Sequence, residues 1–356
     1  MSFSVYVKAA AGVSGYFFFS QLARELLNSV HHDPKSKNIL VNVSVSLFDL
    51  ICLRLKGYFI TIRLDNAYHD NISCIEFKKF SLLWWFGRSF GSFNTVNWLF
   101  NFLNENWKVE LRCLFCDSII YQSEFSRSVH RTFLIASKKP HTVIHNAYPI
   151  IDRTPLSGTG QRSKILIVLS KRASKNDETA IRFAIKLCKK FGLQLKILNW
   201  LESEAYNFKD QVEKGIFGGF IEVHPGYENL DELFLLTLDC KVFIFLSYRD
   251  ACPNILLETI AMGMLPVTVS SGGIPEMVPN GYPLIKLCDP FETYSPARYS
   301  TSFPKVNFKS FERVFSLVYY SNVQSPFDEK FSLALVSKKY VGWLLNREFF
   351  RDGQIT

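Results

Sequence analysis

Two α/β domains, each a parallel sheet flanked by helices, are what this sequence predicts. Three observations carry that expectation. The chain has 356 residues, comfortable for two domains. Short apolar runs alternate with helix-period segments, most cleanly from Lys164 onward. A stretch containing Pro, Gly and Ser but no periodicity, Tyr148 to Ser163, lies between two such series.

The first series is the less regular. Ser4 to Val7, Ile39 to Val43, Tyr58 to Leu64, Ser118 to Gln122 and Thr142 to His145 read as strands, and Ser20 to Ser29 as a helix. In the second series Lys164 to Ser170 reads as a buried strand. Asn176 and Asp177 are placed to cap a helix that ends at Gly192, after Lys189 and Lys190. Leu195 to Asn199 and Phe220 to Val223 follow as strands, and Glu228 to Leu238 as a helix. A strand at Lys241 to Leu246, a helix from Asn254 to Met262 stopped by Gly263, and a strand at Pro266 to Ser270 complete the series. Phe327 to Phe350 is helix-like. The expected organisation is a domain over 1–150, a linker over 151–163, a second domain over 164–325 and a terminal helix over 326–356.

Composition narrows the class. Hydrophobic residues make up 48% and charged residues 21%, which suits buried cores rather than disorder or a membrane bundle. A net charge of +9 favours phosphate-bearing partners without choosing among them. The basic residues are spread along the chain and no nucleic-acid recognition motif is present, so nucleic acid is not an expected partner. The cysteines lie mostly in apolar runs, as in a reduced, intracellular protein. Cys113 and Cys116 form a C-x-x-C, but a zinc site needs about four ligands and no second pair follows. Met1 to Val13 lacks the features of a secretory leader, and no run of about 18 apolar residues is present. A cytoplasmic location is expected. Between Lys78 and Trp107, aromatic residues including Trp84, Trp85, Phe90 and Trp98 mix with Lys79 and Arg88. That mixture reads either as a buried helix pair or as a contact with a membrane surface.

The segment from Asp250 to Glu276, DACPNILLETIAMGMLPVTVSSGGIPE, carries the chemistry. A strand feeds a loop with Asp250 and Pro253, and a helix starts at Asn254, whose side chain is placed to cap it. The amides around Asn254, Ile255 and Leu256 and the positive end of the helix dipole make a ready phosphate site. Glu258, about one turn along, is placed to accept bonds from vicinal hydroxyls such as those of a ribose. Asp250 faces another part of the same ligand. Taken singly, either acid reads more readily as a solvated loop or helix residue.

The whole run resembles the donor-binding signature of the retaining glycosyltransferases of family four, which have the GT-B fold. The shared features are Asp250, Glu258, Ala261-Met262-Gly263, Pro266-Val267 and Gly272-Gly273-Ile274-Pro275-Glu276. The family more often has Glu where Asp250 stands. Ser170-Lys171-Arg172, with Lys175 after it, resembles the family's cationic loop, with Lys171 in place of a glycine. His145-Asn146-Ala147 and Tyr121 to Ser126 resemble strand ends of the first domain. Gly12 and Gly15 stand where the family has a glycine-rich loop, and Asp65 ends a strand where acceptor-side residues are expected.

The resemblance implies two Rossmann-like domains facing each other across a cleft. The donor would be a nucleoside diphosphate sugar and the acceptor a saccharide or lipid-linked saccharide, in polysaccharide, lipopolysaccharide or glycolipid assembly. Arg172 and Lys175 would meet the diphosphate, Glu258 the ribose and Asp250 the donor sugar. No D-x-D is present, so neither a metal nor another cofactor is expected. The terminal helix would cross back onto the first domain. Rival expectations are a catalytically weak protein of the same fold acting as a peripheral partner at the inner face of a membrane, and a nucleotide-sugar epimerase.

Overall fold

Buried apolar runs become parallel strands when helices cover both faces of the sheet, and this chain does so twice. The computed structural model describes residues 2–6, 14–65, 107–130, 135–149, 162–170, 173–199, 219–287, 305–321, 323 and 326–346. In the first half β1 (Ser4–Tyr6), β2 (Asn38–Asn42), β3 (Phe59–Leu64), β4 (Ser118–Tyr121) and β5 (His141–Val143) form a parallel sheet in that order. Helix α1 (Ser14–Leu27) shares one core with Phe3, Leu40 and Ile120. Helices α2 (Leu47–Leu55), α3 (Trp107–Phe115) and α4 (Glu124–His130) bring Leu50, Cys113 and Val129 to the other, with Val41, Ile60 and Ile62.

The second sheet is also parallel, in the order β10–β9–β6–β7–β8. Its strands are β6 (Lys164–Val168), β7 (Leu195–Leu198), β8 (Ile221–Val223), β9 (Cys240–Phe245) and β10 (Leu265–Thr268). Helices α5 (Asp177–Phe191), α6 (Leu230–Leu236), α7 (Asn254–Ala261) and α8 (Phe308–Tyr320) enclose it in one core. Gly192, at φ 67°, ends α5 as the sequence indicates. Asn176 does not cap α5 with its side chain, and Asp177 instead accepts the Ser170 amide at 2.7 Å. Helix α6 is shorter than its apolar pattern suggests. Asn229 caps its start, and the Thr237 hydroxyl bonds back to the Leu233 carbonyl at its end.

The last helix, α9 (Leu333–Leu345), returns to the first sheet. Leu333, Val336, Tyr340 and Leu344 share one helical face and pack with Phe18, Leu22 and Leu26 of α1. Each such buried side chain contributes about 2 kcal/mol, enough together to hold the helix there. On the way, Phe327 stacks on Tyr148 at 4.6 Å, and the Tyr148 amide donates to the Phe331 carbonyl. Most of the 151–163 linker lies outside the described residues. So does the aromatic-basic segment up to residue 106. Among the described residues no helix is long and apolar enough to cross a membrane.

Candidate functional site

In the second sheet the chain runs from β6 out to β7 and β8, then returns to pair β9 on the other side of β6. The loops after β6 and β9 leave the same end of the sheet and diverge, which makes a crevice at a topological switch point. Lys175 comes from the first loop and Asp250 from the second. The Tyr248 amide joins the loops by donating to the Ser174 carbonyl at 2.7 Å. Lys175 Nζ donates to Asp250 Oδ2 in an ion pair, and Ser247 Oγ reaches the same oxygen at 3.4 Å. The two side chains are 14% and 20% exposed, so a solute can reach both. The sequence assigns these groups to different parts of one ligand; here they are bonded to each other.

The backbone holding Asp250 is unusual. Arg249 has φ 50°, a region that non-glycine residues seldom occupy, and its amide donates to Ser271 Oγ at 3.0 Å. Gly272 and Gly273 pack directly on this turn. A Cβ at Gly272 would lie 2.4 Å from the Asp250 carbonyl oxygen, and one at Gly273 1.8 Å from that of Ala251. The Gly273 amide donates to the Asp250 carbonyl at 2.7 Å. The glycine pair therefore serves close backbone approach, and it fixes where Asp250 stands.

Helix α7 starts one residue differently from the sequence reading. Pro253 occupies the cap position, where no side chain caps the helix, and Asn254 is the first helical residue. Asn254 Oδ1 instead accepts Asn146 Nδ2 from the first half at 2.7 Å. The Leu256 amide folds back onto the Pro253 carbonyl at 3.1 Å and its side chain is fully buried, so of the expected phosphate-facing groups it is already engaged. Ile255 lies half-buried in the first turn of the helix. Glu258 is 7% exposed, and no described residue donates to its carboxylate. Burial pushes this carboxyl up to about 7. Asp177 is also raised to about 7 by burial, against the pull of the Ser170 amide and Lys175.

Across the cleft the polar groups pair with one another and, through Asn146, with the second domain. Arg63 is 2% exposed and donates to Asp65 at 2.5 Å, to Gln122 at 3.2 Å and to Asn146. Asp65 is thus occupied by Arg63, the structural alternative to an acceptor contact. Gly15 is the second residue of α1 rather than part of a loop. Gly12 and Arg172 lie outside the described residues. Two residues quoted only as parts of motifs turn out to join the halves. Glu276 accepts from the Glu124 and Phe125 amides and from His145, and Asn146 also donates to the Cys252 carbonyl. A buried arginine at a strand end, followed two residues on by an acid, was the available signal for Arg63. A separate groove of about 320 Å³ between β5 and α9, lined by Thr142, Lys339 and Trp343 among others, includes none of the expected site residues.

No family model matches the chain, and no curated protein matches it. Solved structures do. A pneumococcal O-GlcNAc transferase, GtfA, in complex with UDP and GlcNAc superposes over 89% of this chain with a TM-score of 0.57 at 13% identity. A trehalose-phosphate synthase (UDP-forming) from Burkholderia xenovorans, in complex with glucose-6-phosphate, matches over 93% with a TM-score of 0.57 at 10% identity. Anabaena HepE in complex with UDP-glucose matches over 86% with a TM-score of 0.53 at 13% identity. The fold is GT-B. This GT-B chain spans 58% of the length of the pneumococcal transferase, 77% of the synthase and 78% of HepE. The switch-point crevice thus opens at the cleft between the two GT-B domains, where Asn146 and Glu276 bridge them.

Proposed function

We propose that this chain is a glycosyltransferase of the retaining family-four type, moving a sugar from a nucleoside diphosphate donor to an acceptor hydroxyl. One observation carries the reading: Lys175, Asp250 and the start of α7 converge at the β6/β9 switch point, with the buried Glu258 carboxyl, to which no described residue donates, one turn along. In this reading the diphosphate lies at the helix start. Lys175 exchanges Asp250 for phosphate, which frees Asp250 to orient the donor sugar. Arg172 supplies a second cation. Side-chain charge and backbone dipoles then stabilise the leaving diphosphate without a metal. Glu258 accepts the ribose hydroxyls, and these donors relieve its burial as a bare carboxyl. Closure of the cleft excludes water.

UDP and GlcNAc in the pneumococcal transferase and UDP-glucose in HepE support a UDP-linked hexose as donor. The acceptor in this reading is a saccharide or lipid-linked saccharide, in polysaccharide, lipopolysaccharide or glycolipid assembly. The test is transfer from UDP-, GDP- and ADP-linked sugars by wild type, Asp250→Asn and Glu258→Gln, with the product's anomeric configuration read by NMR. Wild-type turnover in both variants removes the assigned site, and an inverted product removes the retaining mechanism.

The Lys175–Asp250 pair, together with Asp in place of the family's usual Glu, favours a second reading: a catalytically weak GT-B protein that binds partners at a membrane. Calorimetry separates the two. Absence of heat with every nucleotide sugar, alongside tight binding to anionic liposomes, selects the second.

A further inference from the structure

Helix α4 begins the first domain's contact with the second, and its capping is divided between them. Ser123 Oγ accepts the Ser126 amide at 3.0 Å, as an ordinary N-cap does. The two preceding amides, of Glu124 and Phe125, have a different acceptor. Both donate to the Glu276 carboxylate, at 2.8 and 2.9 Å, from a residue about 150 positions away in the other domain. His145 Nε2 adds a third bond to it at 2.8 Å. A carboxylate at a helix N-terminus meets both unpaired amides and the positive end of the dipole. The side chain is 22% exposed, which limits its exchange with water.

On its own side Glu276 is held firmly. It sits in the short turn Ile274–Met277, anchored by the fully buried Ile274 and Met277. That turn follows Gly273, whose amide bonds the Asp250 carbonyl and whose missing Cβ would lie 3.1 Å from Ser123 Cβ. Two residues, Ile274 and Pro275, therefore separate the interdomain carboxylate from the support of Asp250. Opening the cleft must strip three bonds from Glu276 and loosen the turn behind it.

We infer that Glu276 is a positioning residue: it latches the two domains together through the start of α4 and His145, and through Gly273 it sets the place of Asp250. The catalytic half of this statement rests on the proposed transferase reading; the latch does not. The experiment uses the full chain and residue-resolved amide hydrogen exchange, small-angle scattering and transfer kinetics on wild type, Glu276→Ala and Glu276→Gln. In Glu276→Ala the Glu124, Phe125 and Gly273 amides should each lose protection by about tenfold or more, since charge-assisted bonds are among the stronger ones. The radius of gyration should rise. The Gln variant, which keeps one carbonyl acceptor and serves if the Ala variant does not fold, should fall between. Turnover should drop by about tenfold while the donor KM moves less than about threefold. Unchanged exchange at Glu124 and Phe125 overturns the latch. Loss there with Gly273 unchanged, or with kcat unchanged, overturns the link to Asp250. Should wild type transfer no sugar at all, the functional reading fails, and the exchange at Gly273 still decides the link.

Discussion

The two edges that meet at the cleft treat buried charge in opposite ways. On the first-domain side Arg63 is largely paired: Asp65, Gln122 and Asn146 take its terminal donors, Nε alone finds no acceptor among the described residues, and Asn146 carries the cluster on to Cys252 and Asn254. On the second-domain side Glu258 is buried without a described donor, and Lys175 and Asp250 bond each other where solvent still reaches them. A buried polar group normally finds partners because leaving it bare costs free energy. The largely paired edge therefore reads as scaffold, and the unsatisfied edge, where Glu258 lacks a described donor, reads as a place prepared for hydroxyls and phosphate.

This contrast can be broken by substitution. The largest effect should come from Asp250→Asn, with kcat down by about a thousandfold if Asp250 orients the donor sugar. Equal loss on changing Asp65 would place the chemistry on the wrong edge. Arg63→Met should strip the Asp65 and Asn146 oxygens of their donor, Gln122 keeping that of Asn146, and lower folding stability by about 3 kcal/mol, read by urea denaturation. A loss below about 0.5 kcal/mol would show that the cluster is not a scaffold.

Glu258→Gln sharpens the comparison through pH. The carboxyl's ordinary value is 4.5 and burial raises it to about 7 in the folded chain. Between these values the unfolded chain releases a proton that the folded chain keeps, so stability falls as pH rises from about 4.5 to 7. The Gln variant lacks this loss. It should equal wild type near pH 4 and exceed it by roughly 3 kcal/mol at pH 8, measured as a difference in urea midpoints. Asp177, also raised to about 7, titrates in both proteins and cancels. The smallest effect belongs to Asp65→Asn, which keeps an oxygen for Arg63 on a half-exposed side chain: under about 1 kcal/mol, with turnover within threefold of wild type.

Much of the fold was legible because its signals are local. Most strands of the second sheet announce themselves as short apolar runs, and Gly192 and Gly263 end their helices in the left-handed region. Helix α8 was legible and passed over: Phe311, Val314, Phe315 and Val318 repeat at helical spacing behind Asn307, which caps it. Helices α2 and α3 were harder. They carry large apolar residues outward, Phe48 and Leu55 on one and Trp107 and Leu114 on the other, which blurs the amphipathic pattern.

The site divides along the same line. Asp250 and Glu258 came from a dense local motif and Lys175 from a separate loop that resembles the family's cationic one, and the topology gathers Lys175 with Asp250. The partners across the cleft did not, since nothing in the local pattern says that Asn254 will bond Asn146 or that Glu276 will cap a helix of the other domain. Such contacts depend on how two domains dock. The role of Asn254 as a cap was misjudged for this reason: a short polar side chain at a helix start usually bonds its own amides, and here a partner from the other domain takes it.

The central claim is that the unsatisfied edge at the β6/β9 switch point holds a nucleotide sugar. Calorimetric titration of wild type, Lys175→Ala and Glu258→Gln with UDP-, GDP- and ADP-linked sugars tests it most directly. The account predicts that one donor binds wild type and that each variant weakens it by about tenfold or more. Binding of a donor with equal affinity in all three proteins, or of none to wild type, would contradict it.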